Sequence, residues 1–203
     1  MPESGGPATL WDGTLEMNLL ASVETLFAVH GGRPALAMAS NGVTALEHAL
    51  QCARLAERDG SSDALVAAAL LHDLGRLVRP VGGESEDEDH DLRTVAWLAP
   101  HLGVDVIEPI RLHVTAKRYL AATSPRYLAS LAPEALRQLE RQGGRLSSYE
   151  AWMFGAQPYA EQALALRRWD DLAHRPGLQT PGLRHYLPLL ESLRDRPIID
   201  VVG

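Results

Sequence analysis

The sequence has a single cysteine, two phenylalanines and no apolar run near the roughly 18 residues that a membrane span requires. A lone Cys52 excludes an internal disulfide and leaves no basis for a thiolate zinc site or a cysteine-rich cluster. A reducing compartment suits such a chain. The first residues carry neither the basic stretch nor the clean hydrophobic stretch of a signal peptide, so the expected location is cytoplasmic, with no membrane partner. Basic residues are also in short supply, 19 Lys and Arg against 26 Asp and Glu, for a formal net charge of −7. That balance argues against a nucleic-acid partner while leaving local cations free to bind a small anion. Strand-like alternation and internal repeats are missing as well.

What is present is helical periodicity. With 203 residues and 46% hydrophobic content, the chain is long enough for one domain with a substantial core. The expected fold is all-α, with a loose Pro/Gly/Ser leader over 1–13, one helical domain over 14–195 and a tail over 196–203. Thr14 is placed to cap a first helix that ends at Gly31-Gly32, and a second helix spans 43–59 with His48 and Cys52 on one face. Ser62 opens a third helix over 64–74 that is apolar nearly all round, so it is expected at the centre, ending at Gly75. An acidic, Pro/Gly-containing loop over 78–89 includes Glu84, Glu86, Asp87, Glu88 and Asp89. Helices over 92–102 and 104–122 follow. Pro125 and Pro133 open two short ones, Ser147 or Ser148 caps another, and long helices over 158–173 and 181–194 close the domain.

The chemistry centres on Leu71-His72-Asp73-Leu74-Gly75. Consecutive imidazole and carboxylate groups can ligate one ion, and the second carboxylate oxygen can reach a neighbouring ion. Around this pair stand His48, His90, His113 and Asp170, nitrogen and oxygen donors of the kind that suit iron, manganese or another first-row metal. Taken singly, His48 reads equally as a hydrogen-bonded core histidine, His90 as a loop residue and Asp170 as helix-surface charge. Cys52 and Trp97 read as packing residues. His30, His101, His174 and His185, near helix ends or loops, read as surface residues. Lys117 lies four residues after His113 and Arg167 three before Asp170, so each shares a helical face with a candidate ligand and offers a cation for an anionic headgroup.

The order His48, His72-Asp73, Asp170 resembles the HD-domain superfamily, which implies a single HD-domain helical bundle. The stretches Leu46 to Ala53, Ala68 to Gly75, Arg111 to Leu120 and Leu166 to Asp171 look more specifically like the PhnZ-type phosphonate-cleaving oxygenases. That resemblance implies two iron ions, a mixed-valent Fe(II)/Fe(III) pair, with O2 as co-substrate. By analogy His48, His72, Asp73 and Asp170 hold one iron, while Asp73, His90 and His113 hold the other, so that Asp73 bridges. The implied substrate is a small 1-hydroxyalkylphosphonate. Loss of hydrogen from C1 and insertion of oxygen break its C–P bond to give a carboxylate and phosphate, with Asp73, His72 and Lys117 as the catalytic set.

Four departures from the family pattern bear on substrate. Met38 stands where a tyrosine is usual, and a thioether is a poor ligand for ferric iron. Asn41 stands where relatives that select an aminated substrate carry a glutamate, so the expected substrate lacks the amine of 2-amino-1-hydroxyethylphosphonate or has its cation met elsewhere. Arg76 replaces a common histidine and adds a cation. Ala135 replaces a hydroxyl. Lys117, Arg167, Arg76, Asn41 and Met38 thus form the expected substrate-binding set, in a monomer or small homo-oligomer. Two other readings compete: an HD-type phosphohydrolase using one divalent ion at His48, His72, Asp73 and Asp170, and a non-enzymatic small-molecule sensor on the same scaffold.

Overall fold

The computed structural model describes residues 18–33, 35, 42–78 and 90–194. Its axis is α3 (Asp63–Leu71), capped by Ser62, whose side chain accepts a hydrogen bond from the Leu65 amide. Every residue from 64 to 71 is buried, and the short side chains of Ala67, Ala68 and Ala69 keep this helix thin enough for close neighbours on all sides. Around it pack α2 (Ala45–Arg58), α6 (Val104–Thr123), α10 (Ala160–Leu172) and α11 (Leu183–Arg194). With α1 (Leu19–His30) they form one core that includes Leu19, Phe27, Leu70, Leu98, Ile110, Leu166, Trp169 and Leu190. A smaller core of Leu112, Ala116, Leu146, Phe154 and Ala163 ties α6 and α10 to α9 (Ser148–Gly155). At roughly 1.5–3 kcal/mol for each fully buried large side chain, these clusters hold the bundle without disulfides.

The remaining elements are α4 (Leu74–Leu77), α5 (His90–Leu98), α7 (Pro125–Ser130) and α8 (Pro133–Arg141). The architecture is all-α as expected, with no sheet among the described residues. No helix among them is long and apolar enough to cross a membrane. The leader, the tail, the acidic loop residues and the Thr14 cap lie outside the described residues. α1 is instead capped by Asn18, whose side chain accepts from the Leu20 amide.

The boundaries that matter differ from expectation at the His-Asp pair. α3 ends at Leu71, not residue 74; His72 is its cap and Asp73, at φ −98° and ψ 7°, turns the chain into α4. Gly75 therefore sits inside α4 and does not terminate α3. Its missing side chain is required by close approach: a Cβ there would lie 2.0 Å from the His90 carbonyl oxygen and 2.7 Å from Thr94 Oγ1. That contact brings α5 against α4, and His90, two residues ahead of the expected start, is already helical.

Candidate metal centre

Five separate stretches deliver the side chains. His48 projects from α2, His72 and Asp73 from the α3–α4 junction, His90 from the first residue of α5, His113 from α6 and Asp170 from the last turn of α10. His48 Nε2 lies 3.3 Å from Asp170 Oδ1 and 3.9 Å from Asp73 Oδ2. His72 Nε2 is 3.7 Å from Asp73 Oδ1 and 3.9 Å from Asp170 Oδ1. His90 Nε2 is 3.3 Å from Asp73 Oδ1 and 3.3 Å from His113 Nε2. All six candidate ligands meet. Asp73 stands in the middle, with Oδ2 toward His48 and Oδ1 toward His72 and His90.

The rings are fixed from behind. Nδ1 of His48 donates to the Ala173 carbonyl at 2.9 Å, Nδ1 of His72 to Ala69 at 3.0 Å and Nδ1 of His113 to Ile110 at 2.6 Å. A carbonyl oxygen can only accept, so the proton is assigned to Nδ1 and the lone pair to Nε2, the nitrogen facing the carboxylates. Two of these acceptors exist because helices stop there. Ala69 lies in the last turn of α3 and Ala173 caps α10, where carbonyls have no intrahelical partner. Thr94 ties the junction together: its Oγ1 accepts from the Gly75 amide at 2.8 Å and lies 2.8 Å from the His90 carbonyl and 3.0 Å from that of His72.

His72 Nε2 is buried and has no hydrogen-bond partner among the described residues. Converging nitrogen lone pairs, two carboxylates and an orphaned buried nitrogen form a donor set that a first-row cation satisfies. The residues fit a metal.

The charges agree. Burial pushes the Asp73 carboxyl up, but Arg76, His72 and His90 outweigh it and hold it well below the usual carboxylate range; Arg76 Nε donates to Oδ1 at 2.9 Å. Arg167 does the same for Asp170, donating from Nη1 to Oδ2 at 2.7 Å. Burial and then Arg76 lower His90 well below its ordinary value, and burial and then His72 lower His113 to about 4. Both imidazoles are neutral at pH 7, the state in which a nitrogen ligates.

Beside these groups is a cavity whose walls include His48, Asp73, Arg76, Arg167 and Asp170, together with Ala35, Ala135, Gln138 and His174. Arg76, Arg167 and Ala135 all lie in its wall. Arg167 is braced by Asp171, itself in the cavity wall, which takes both Nε and Nη2, and by the Tyr127 hydroxyl at 3.2 Å. Lys117 stands one layer back, fully buried, with Nζ donating to Gln138 Oε1 at 2.8 Å. Met38 and Asn41 lie outside the described residues. Gln138, Tyr127 and His174 were not singled out as site residues by sequence. His174 is not a surface residue: its ring stacks on His48 with centroids 4.7 Å apart, and its spacing of four from Asp170 was the available signal.

Lys117 is the chain's only lysine. Burial, and after it Arg167, lower its pKa from 10.5 to about 7. Above pH 7 the unfolded chain holds this proton and the folded chain releases it, so stability rises with pH. Thermal unfolding followed from pH 7 to about 7.8, below the ordinary pKa of cysteine and tyrosine, is expected to show a rise in Tm that Lys117→Met abolishes. An equal slope in both proteins would refute the assignment.

No protein-family model matches the sequence. A hydroxymethylphosphonate dioxygenase of Gimesia maris is 41% identical over 74% of this chain and 77% of its own length. The chain belongs to the phosphonate dioxygenase family. A second relative, the [1-hydroxy-2-(trimethylamino)ethyl]phosphonate dioxygenase (glycine-betaine-forming) of Leisingera caerulea, is 32% identical over 76% of this chain and 81% of its own. Dioxygenase relatives imply a metal and O2, and this phosphonate dioxygenase homologue has the donors for a metal. Ligand atoms of Asp73, His90 and His113 lie within 4.8 Å of one another, as do those of His48, Asp170 and His174 and those of His48, Cys52 and His72.

Proposed function

We propose that the chain cleaves the C–P bond of a small 1-hydroxyalkylphosphonate with O2, giving a carboxylate and phosphate, with hydroxymethylphosphonate as the representative substrate and formate as its carboxylate product. The observation that carries this reading is the convergence of His90 and His113 on Asp73, next to His48, His72 and Asp170. A single-ion site needs only His48, His72, Asp73 and Asp170. In this reading His48, His72, Asp73 and Asp170 hold one iron and Asp73, His90 and His113 the other, within a catalytic domain spanning 14–195. Bound there as an Fe(II)/Fe(III) pair, the metal supplies the redox change that allows O2 to react with the substrate.

The chain's own groups bind and orient. Arg76 and Arg167, held at the cavity wall by carboxylates, supply positive charge for the phosphonate dianion. Lys117, behind Gln138, adds a third cation whose proton is favoured when a dianion enters the cavity. The Nδ1 hydrogen bonds keep three imidazoles aimed at the carboxylates while substrate exchanges. In the sequence, Asn41 replaces the glutamate of amine-selecting relatives, and an amide does not neutralise an ammonium, so in this reading the substrate lacks the primary amine.

The test uses iron-loaded protein with hydroxymethylphosphonate in air. Formate and phosphate are expected in equal amounts. Equal turnover of 2-amino-1-hydroxyethylphosphonate would overturn the reading of Asn41. His113→Ala is expected to lower iron from two to one per chain and to abolish oxidative cleavage. If that variant kept full activity toward a phosphomonoester, the phosphohydrolase reading would replace this one.

A further inference from the structure

His174 has no place in the six-residue ligand set, yet three observations point it at the same ion as His48 and Asp170. One of its ring nitrogens, a nitrogen of His48 and an oxygen of Asp170 lie within 4.8 Å of one another. Atoms that share one first-row ion at about 2.0–2.2 Å must lie within about 4.4 Å of each other, so side-chain adjustments of a few tenths of an ångström close the set. Its Nδ1 is buried without a hydrogen-bond partner among the described residues, and a buried nitrogen left without a partner calls for an occupant. The backbone also fixes its place. The carbonyl of the preceding residue, Ala173, takes the Nδ1 proton of His48, so the segment that locks one ligand ring presents the next.

We propose that His174 is a seventh protein ligand, completing the coordination of the ion held by His48 and Asp170. This rests on the metal-site reading given under Proposed function. The competing role is packing, because the His174 ring lies nearly parallel to that of His48, at 20°. The two roles separate by chemistry. Phenylalanine keeps a flat ring to stack and has no lone pair, whereas alanine removes both.

The experiment loads wild type, His174→Phe and His174→Ala with iron and measures iron per chain, iron affinity by chelator competition, and low-temperature EPR with 15N-labelled histidine. Circular dichroism melting checks that each variant is folded. The expected result is that both variants lose one nitrogen coupling and bind the first ion at least about tenfold more weakly, the lower end of what residues one step from a metal contribute. A His174→Phe protein with wild-type couplings and affinity would overturn the proposal and leave His174 a packing residue. A wild type that binds two irons but shows no coupling assignable to His174 would overturn it too, with the six-residue set intact. A wild type that takes up no iron would overturn both this ligand and the metal-site reading beneath it.

Discussion

Asp73→Ala is expected to strip both irons from the protein and to reduce C–P cleavage far beyond the about 10–100-fold loss typical of residues one step from a metal. The reason is position. Asp73 alone among the six faces both groups, His48 on one oxygen and His72 and His90 on the other. Removing His48 or His113 thins one group, whereas removing Asp73 takes a shared anion from both. The same carboxylate also balances Arg76, which donates to it from Nε. Breaking a buried pair by deleting one partner costs about 3–5 kcal/mol; Asp73 is partly exposed here, so the lower end or less applies. Asp73→Asn separates the two effects. It keeps the shape and the fold, but its amide nitrogen presents hydrogens to histidine lone pairs and cannot bridge two cations. Iron per chain by elemental analysis, beside Tm and turnover, decides the matter: an Asp73→Asn protein that holds two irons would show that Asp73 is not the bridge.

How much of this centre could be seen in the sequence follows from the distance over which each signal acts. His48 and Cys52, four residues apart, announce a shared helical face, and their atoms do meet, at 3.6 Å. The unbroken apolar run over 64–71 announces a helix buried on all sides, and α3 is that helix. His72-Asp73 marks the centre by its chemistry alone. The rest needed the third dimension. Nothing local says that α3 ends at Leu71, because Leu74, Gly75 and Leu77 continue the apolar pattern; the break comes from the packing of α5 against α4. Lys117 shares a face with His113 as its spacing implies, but only the packing of α8 shows Gln138 between it and the cavity. His174 reads as a surface residue because the sequence past α10 has the look of a loop, and the stack that sets it against His48 joins residues 126 positions apart. Long-range pairing of that kind leaves no periodic trace.

Gly75→Ala is expected to destabilise the protein by about 3 kcal/mol or more, the upper range for overpacking a tight site, although alanine is the better helix former by about 1 kcal/mol. Sterics decide the sign. The added Cβ would sit 2.0 Å from the His90 carbonyl oxygen and 2.9 Å from the Thr94 amide nitrogen, both backbone atoms that no rotamer change can move. Relief requires α4 and α5 to separate, which breaks the Gly75 amide bond to Thr94 Oγ1 and draws His90 away from Asp73 and His113. For a domain of this size the loss corresponds to a fall in Tm of about 6–12 °C. It is not confined to stability, because the iron held through His90 goes with the displaced helix while the one near His48 stays. Gly182→Ala is the control: a Cβ there meets nothing within 4 Å, and no loss of Tm or iron is expected. If Gly75→Ala melted with wild type and kept both irons, α4 and α5 would have to part without disturbing His90. The carbonyl that clashes is His90's own, so that outcome would remove the steric account of why this junction carries a glycine.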